Sequence, residues 1–300
     1  MKINNQGLSL VELLVVVAIL SIVLGAILVT YSSSLRVFTD VKSLSDPIET
    51  KTPSIELIAR YFDRWGVGVI AKTHRSNCTI CPAHPMSMTI TSGNPCDEVT
   101  FYGNLYGFGF VRDVSSSTAQ LISCRLDSSS NQNCYTLWRD NTPINDYAST
   151  TNNPIILGLS SLSPSNADCS TGITSSTTSN ATMNYDMSPY SGSNFKRVKP
   201  ADVIHRAAHR IRLYCQGNAN DGGRTWLYAD LIDFYGACNE NETATPIAPV
   251  NSFRVDGLPS GCNASAGDCT AVRVTVVFRS QSPDYKGQFK TYEVTRVFGR

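Results

Sequence analysis

Residues 7–29, GLSLVELLVVVAILSIVLGAILV, form an apolar run that carries one carboxylate, that of Glu12. A bilayer core needs about 20 apolar residues in a helix, and residues 8–29 supply that length. A carboxylate within hydrocarbon is costly unless it is protonated or paired with a cation. Glu12 therefore predicts a cationic partner at the same depth, such as a free α-amino group made by cleavage after the polar stretch MKINNQG.

The residues after this run, TYSSSLRVFTDVKS, continue the helical spacing with Leu35, Phe38, Val41 and Leu44. An ordinary secretory signal has a shorter apolar run that a small-residue cleavage site follows. No such site follows here, so we expect residues 8–45 to remain in the protein as one helix.

Gly7 followed by LSLVELL resembles the type IV prepilin signature, a glycine, a hydrophobic residue, three further positions and a glutamate. The resemblance implies cleavage between Gly7 and Leu8 by a prepilin peptidase and N-methylation of Leu8. It also implies that Glu12 pairs with the amino terminus of a neighbouring subunit during filament assembly. Leu8 departs from the phenylalanine that the family usually has there. A plain single-pass anchor with a tolerated acidic residue is the alternative interpretation.

The chain beyond the first helix divides into two predicted segments. Pro47 lacks a backbone donor and disfavours a helical conformation at Asp46, so we predict an interruption there. A second helix is expected within residues 46–65, where PSIELIARYFDRW has an apolar stripe that would face a sheet. The predicted segments are a removed leader (1–7), the membrane and filament-core helix (8–45), the second helix (46–65) and a β-rich head (66–300).

The head alternates short β-branched and aromatic runs, such as EVTFYG, GFGFVRDV, AQLISCRL, CYTLWRD and PIILGL, with turn residues. RIRLYCQG and RTWLYADLIDF flank NANDGG, and AVRVTVVFRS and FKTYEVTRVFGR flank QSPDYKGQ, so both pairs predict hairpins. Residues 160–194, rich in Ser, Thr and Asn, predict a long surface loop. The predicted class is α+β with an antiparallel sheet, and the resemblance implies the type IV pilin-like fold. The second helix and last hairpin are similar to PilW-like minor pilins and J-type pseudopilins.

Composition narrows the possible partners. The 25 basic and 24 acidic residues leave a formal net charge of +1, which offers no basic field for nucleic acid. Ten cysteines, all outside the apolar run, predict an oxidising compartment and as many as five disulfides of unknown pairing. They are Cys78, Cys81, Cys96, Cys124, Cys134, Cys169, Cys215, Cys238, Cys262 and Cys269.

Three stretches suggest metal chemistry, each with a simpler alternative. His74, Cys78, Cys81 and His84 could bind zinc, but in an oxidising compartment a disulfide is the favoured interpretation. His205 and His209 would share a face on a helix, although no HExxH glutamate accompanies them. NANDGGR could offer oxygen ligands to calcium, and a hairpin turn is the favoured alternative. No cofactor fingerprint or catalytic constellation is present, so we expect neither a cofactor nor an enzyme.

The sequence thus predicts a minor type IV pilin that enters the inner membrane and joins a filament, where it primes assembly or forms the tip. Its expected partners are pilin subunits, the prepilin peptidase and the assembly machinery. Alternatives are a pseudopilin of a type II secretion system, a large major pilin, or a tip adhesin whose loops, with Tyr185 and Tyr190, bind a ligand.

Overall fold

A computed structural model describes residues 10–74, 76, 81–105, 108–114, 119–124, 135–140, 142–143, 157–163, 178–185, 199–206, 208–233 and 244–299. The chain divides into two compact units. The first comprises the residues up to Thr50 together with Arg279–Tyr292, and the second comprises Lys51–Phe278 together with Glu293 and the residues after it.

One helix, α1, runs without a break through Leu10–Phe62 and is 53 residues long. The predicted interruption at Asp46-Pro47 and the separate second helix are therefore wrong. A proline inside a helix costs about 3 kcal/mol. At Pro53 that cost is offset downstream, because Ile55 and Ile58 are at most 4% exposed and a buried residue of this kind contributes about 1.5–3 kcal/mol.

In the first unit, polar side chains of α1 contact the segment Arg279–Tyr292. The carboxylates of Asp40 and Asp46 accept hydrogen bonds from the backbone N–H groups of Tyr285 and Ser282, both at 3.3 Å. The guanidinium of Arg36 lies 4.8 Å from the ring centroid of Tyr285. These contacts fall on the part of α1 that contains Pro47, which is itself buried. They stabilise the helix where proline removes a backbone donor.

Within the described residues, fourteen strands follow α1 along the chain. They are β1 (Met88–Thr91), β2 (Glu98–Gly103), β3 (Phe108–Val114), β4 (Ala119–Cys124), β5 (Tyr135–Arg139), β6 (Thr142–Pro143), β7 (Leu157–Ser163), β8 (Thr178–Tyr185), β9 (Val203–Arg206), β10 (His209–Asn218), β11 (Arg224–Asp233), β12 (Thr245–Leu258), β13 (Ala271–Arg279) and β14 (Thr291–Gly299). Short 3₁₀ turns span Ala219–Asp221 and Ala264–Ala266.

The strands form two seven-stranded sheets. The first has the order β1-β2-β10-β11-β12-β13-β14 and the second the order β6-β5-β7-β8-β4-β3-β9. Every pairing described between named strands is antiparallel. An additional pairing of β9 with β5 closes the second sheet on itself. Closure removes free strand edges from the six strands of that ring.

The core of the second unit lies between the last turns of α1 and the first sheet. Odd-numbered residues of β2, β10 and β11 point inwards, among them Val99, Phe101, Ile211 and Leu213, all 0% exposed. The ring of Phe62 stacks on that of Phe101, with centroids 4.8 Å apart. The predicted α+β class, with a long helix and an antiparallel sheet, is confirmed.

The predicted strands coincide with β2, β3, β4 and β5, and the NANDGG hairpin with β10 and β11. The predicted strand PIILGL overlaps β7 at residues 157–159 only. The predicted loop at residues 160–194 is wrong in part, because it contains the end of β7 and the whole of β8. β8 pairs with β4 and β7, so backbone hydrogen bonding to its neighbours offsets the weak strand signal of TSNATMNY.

Candidate assembly site

The predicted processing residues Gly7 and Leu8 lie outside the described residues, which begin with Leu10. Glu12 lies in the first turn of α1 and is solvent-exposed. A carboxylate in the first turn interacts favourably with the positive end of the helix dipole. The structure therefore presents the Glu12 side chain on the surface of the chain, where a group from another molecule can reach it.

The first part of α1, from Leu10 to Val29, is apolar on all sides apart from Glu12 and Ser21. Every large hydrophobic side chain from Leu10 to Val29 is at least 47% exposed. Among the described residues, α1 is the helix whose length and composition would allow it to cross a membrane, with a window of mean hydropathy 3.1. A helix that is apolar all round needs lipid or neighbouring helices to cover it.

Polar groups inside this apolar run are satisfied within the helix. The hydroxyl of Ser21 donates to the carbonyl of Val17 at 2.8 Å, and that of Thr30 donates to the carbonyl of Ala26 at 2.9 Å. Such back-bonding lets serine and threonine lie at membrane depth without an unpaired donor. A Cβ added at Gly25 would meet nothing within 4 Å, so the surface of the helix is open at that residue.

The structure removes Cys81, one of the four residues of the zinc candidate, from the possible ligands. Cys81 is disulfide-bonded, so its sulfur is not available as a thiolate, and Cys78 lies outside the described residues. The Nδ1 atoms of His74 and His84 accept hydrogen bonds from the backbone N–H groups of Ala71 and Met86. Burial, and then the charge of His84, lower the pKa of His74. The part of the chain that the structure describes contains no group of three metal-ligating side chains.

Two disulfides are defined completely. Cys96 is bonded to Cys215 across 119 residues, and Cys262 is bonded to Cys269 across 7 residues. The first links the segment before β2 to the middle of β10, and the second closes the turn between β12 and β13. Cys124 ends β4, while Cys134, Cys169 and Cys238 lie outside the described residues.

The histidine pair lies on two strands, and the candidate calcium turn is the turn of a hairpin. His205 is on β9 and His209 on β10, so the helical geometry considered for them is wrong. The Asn218 side chain accepts a hydrogen bond from the N–H of Asn220, and Asp221 accepts bonds from Arg224 and from the indole of Trp226. These oxygens are occupied by donors of the hairpin itself, as the turn interpretation predicts.

The sequence interpretation missed an outward-facing row of aromatic and charged residues on the first sheet. Tyr214 on β10 lies opposite Tyr228 on β11, and Arg212 lies opposite Asp230. The signal was present in the alternation of RIRLYCQG and RTWLYADL, whose even-numbered positions carry arginine or aromatic side chains except at Gln216 and Asp230.

Residues 2–28 match the family described as "Prokaryotic N-terminal methylation motif". An uncharacterised protein of Aquifex aeolicus (strain VF5) is 29% identical over 280 residues, which cover 91% of this chain and 93% of that protein. No solved structure matches the chain. The prepilin-type motif supports a type IV pilin-like chain that is anchored in the inner membrane before assembly. It also implies processing by a prepilin peptidase and assembly with pilin subunits.

Proposed function

We propose that this chain is a minor type IV pilin that joins a filament through α1, where it primes assembly or forms the tip. The observation that carries the proposal is the methylation motif of residues 2–28, which overlaps the start of a 53-residue helix whose apolar half is exposed on all sides. In this proposal Gly7 and Leu8 flank the cleaved bond, and Leu8 becomes the methylated first residue. The leader of residues 1–7 is removed, and the residues after α1 form the head.

Glu12 supplies the specificity of assembly in this proposal. Its carboxylate pairs with the new α-amino group of a neighbouring subunit, which removes both charges from the apolar interior of the filament. The exposed position of Glu12 supports this role, because the pairing needs a side chain that another subunit can reach.

The deciding experiment compares protein from sheared filaments with protein from membranes by intact mass and amino-terminal sequencing. A minor pilin gives a chain that begins at Leu8, is about 14 Da heavier from one methyl group, and is scarce in the filaments. Abundant chain in the filaments would indicate a major pilin. Processed chain confined to membranes would indicate a type II pseudopilin, and an uncut start at Met1 would refute the proposal.

Two single alanine variants of α1 test the role of Glu12 directly. Glu12→Ala is expected to be processed at Gly7 normally but to be lost from filaments. Glu49→Ala is the matched control, because Glu49 is also an exposed glutamate of α1. Equal incorporation of both variants would show that Glu12 does not direct assembly.

A further inference from the structure

The first sheet has an outer face that differs from its buried inner face. In the central parts of β2, β10 and β11, alternate side chains are buried in the core and the side chains between them are half-buried. The buried ones are Val99, Phe101, Ile211, Leu213, Leu227, Ala229 and Leu231. We call the half-buried, even-numbered surface the outer platform. Its central residues are Glu98, Thr100, Tyr102, Arg210, Arg212, Tyr214, Trp226, Tyr228 and Asp230.

Stacked rings form the centre of the outer platform. The rings of Tyr214 and Tyr228 are cross-strand neighbours with centroids 6.0 Å apart and planes 26° from parallel. The guanidinium of Arg212 lies 4.3 Å from the centroid of Tyr214. Trp226 is two residues before Tyr228 on β11, so its side chain is on the same face. The platform therefore offers three adjacent aromatic side chains.

Hydrogen bonds hold these side chains in place. Arg212 donates two bonds to the carboxylate of Glu98, at 2.7 and 2.9 Å, which fixes the guanidinium plane beside Tyr214. The indole N–H of Trp226 donates to Asp221 at 2.9 Å, which anchors the indole to the turn between β10 and β11. A surface whose rings are ordered before binding has less conformational entropy to lose when a ligand arrives.

The balance of positive and negative side chains on the outer platform indicates which class of ligand suits it. Arg210, Arg212 and Arg224 are matched by Glu98, Asp221 and Asp230 on the same face or its bounding turn. Surfaces that bind single-stranded nucleic acid combine aromatic rings with an excess of positive charge, and this face has no excess. A neutral ligand with an apolar face and a polar rim suits it better.

We propose that the outer platform binds neutral glycans. The C–H faces of pyranose rings stack on aromatic side chains, while their hydroxyls exchange hydrogen bonds with carboxylates and guanidinium groups. Tyr214, Tyr228 and Trp226 supply the rings, and Asp230 and the remaining N–H groups of Arg212 supply an acceptor and donors beside them. The inference rests on the described face of the first sheet and does not depend on the proposed pilin function.

Tryptophan fluorescence provides the test. Trp65 and Trp138 are 2% and 8% exposed, whereas Trp226 is half-buried, so acrylamide quenching reports mainly on Trp226. The full-length chain is held in a detergent without a sugar headgroup and titrated with cellohexaose and, separately, with chitohexaose. The proposal predicts that at least one sugar protects Trp226 from acrylamide quenching in a saturable way. Comparing the two sugars shows whether the platform prefers a plain glucan or a glycan of N-acetylhexosamine.

Variants on and off the platform complete the test. Tyr228→Ala should weaken binding about tenfold or more, and Tyr228→Phe, which keeps the ring, should stay within about threefold. Tyr292→Ala on β14 is the control, because Tyr292 is exposed but outside the platform. Should Tyr228→Ala fold poorly, Arg212→Gln is expected to weaken binding as well. Protection by neither sugar, or equal binding by wild type, Tyr228→Ala and Arg212→Gln, would overturn the proposal.

Discussion

The carboxylate of Asp46 accepts a hydrogen bond from the backbone N–H of Ser282, 236 residues further along the chain. Asp40, six residues earlier in α1, makes the equivalent bond to the N–H of Tyr285. Together they fix a loop from the end of the chain on the helix beside Pro47. The loop is thus part of what keeps α1 continuous.

Removing both aspartates should release this loop. In Asp40→Ala/Asp46→Ala, the backbone N–H groups of Ser282 and Tyr285 lose their acceptors, and the exposed Lys286 between β13 and β14 becomes easier to cleave. Limited trypsin digestion followed by mass spectrometry should show faster cleavage after Lys286. Asp40→Asn/Asp46→Asn keeps an acceptor oxygen at each position and should remain close to wild type. Unchanged cleavage of the alanine variant would show that these bonds do not hold the loop.

The two fully defined disulfides should differ in their effect on stability. In the chain-entropy account, a bond closing 119 residues restricts the unfolded chain more than one closing 7 residues. Cys96→Ser/Cys215→Ser should then cost about 5 kcal/mol of unfolding free energy, and Cys262→Ser/Cys269→Ser about 2.5 kcal/mol. Urea denaturation of both variants in parallel measures the difference. Equal losses would show that native-state strain or residual structure dominates.

The α+β class, the strands with strong β propensity and the NANDGG hairpin could be predicted because local residue patterns determine them. In EVTFYG the apolar residues Val99 and Phe101 alternate with the polar residues Glu98 and Thr100, and β2 shows the matching alternation of buried and half-buried side chains. The continuity of α1 could not be predicted, because Pro47 and Pro53 are local helix-breaking signals. The contacts that compensate for Pro47 come from residues more than 230 positions away. β8 was missed for the same reason, since its partner strands rather than its own propensity define it.

At the candidate site, the proposed assembly residues come from one contiguous signature, whereas the outer platform depends on strand register that the sequence does not give. Glu12 is identified by its spacing from Gly7 within a contiguous stretch. Glu98 and Arg212 are 114 residues apart, and only the pairing of β2 with β10 brings them together. Sequence patterns predict a motif that is contiguous, but they do not predict a surface formed by strand register.

Gly25 offers a test of helix packing in the proposed filament. Because a Cβ there would meet nothing within the chain, Gly25→Leu should stabilise the isolated helix by up to about 1 kcal/mol. If neighbouring helices approach each other closely at this residue, the same change should reduce incorporation into filaments. Ala26→Leu is the control, because it adds an apolar side chain at the next position around the helix. Filament yield relative to membrane yield is the measurement, and full incorporation of Gly25→Leu would argue against close packing there.

His205 should make the second unit sensitive to acid. Burial, and then the charge of Arg64, lower the pKa of His205 from 6.5 to about 4. Its ring lies edge-on to Trp138, with centroids 5.9 Å apart, and its Nδ1 is 3.5 Å from the side-chain nitrogen of Asn104. A neutral imidazole is therefore the form that this site stabilises.

The sign of the effect follows from the two pKa values. Between pH 6.5 and about 4, the unfolded chain binds a proton at His205 and the folded chain does not, so the free energy of unfolding falls as the pH falls. The full loss is on the order of 3 kcal/mol. Urea denaturation at pH 7 and pH 4.5 should show a smaller difference for His205→Gln than for wild type. An unchanged difference in His205→Gln would show that His205 is not responsible.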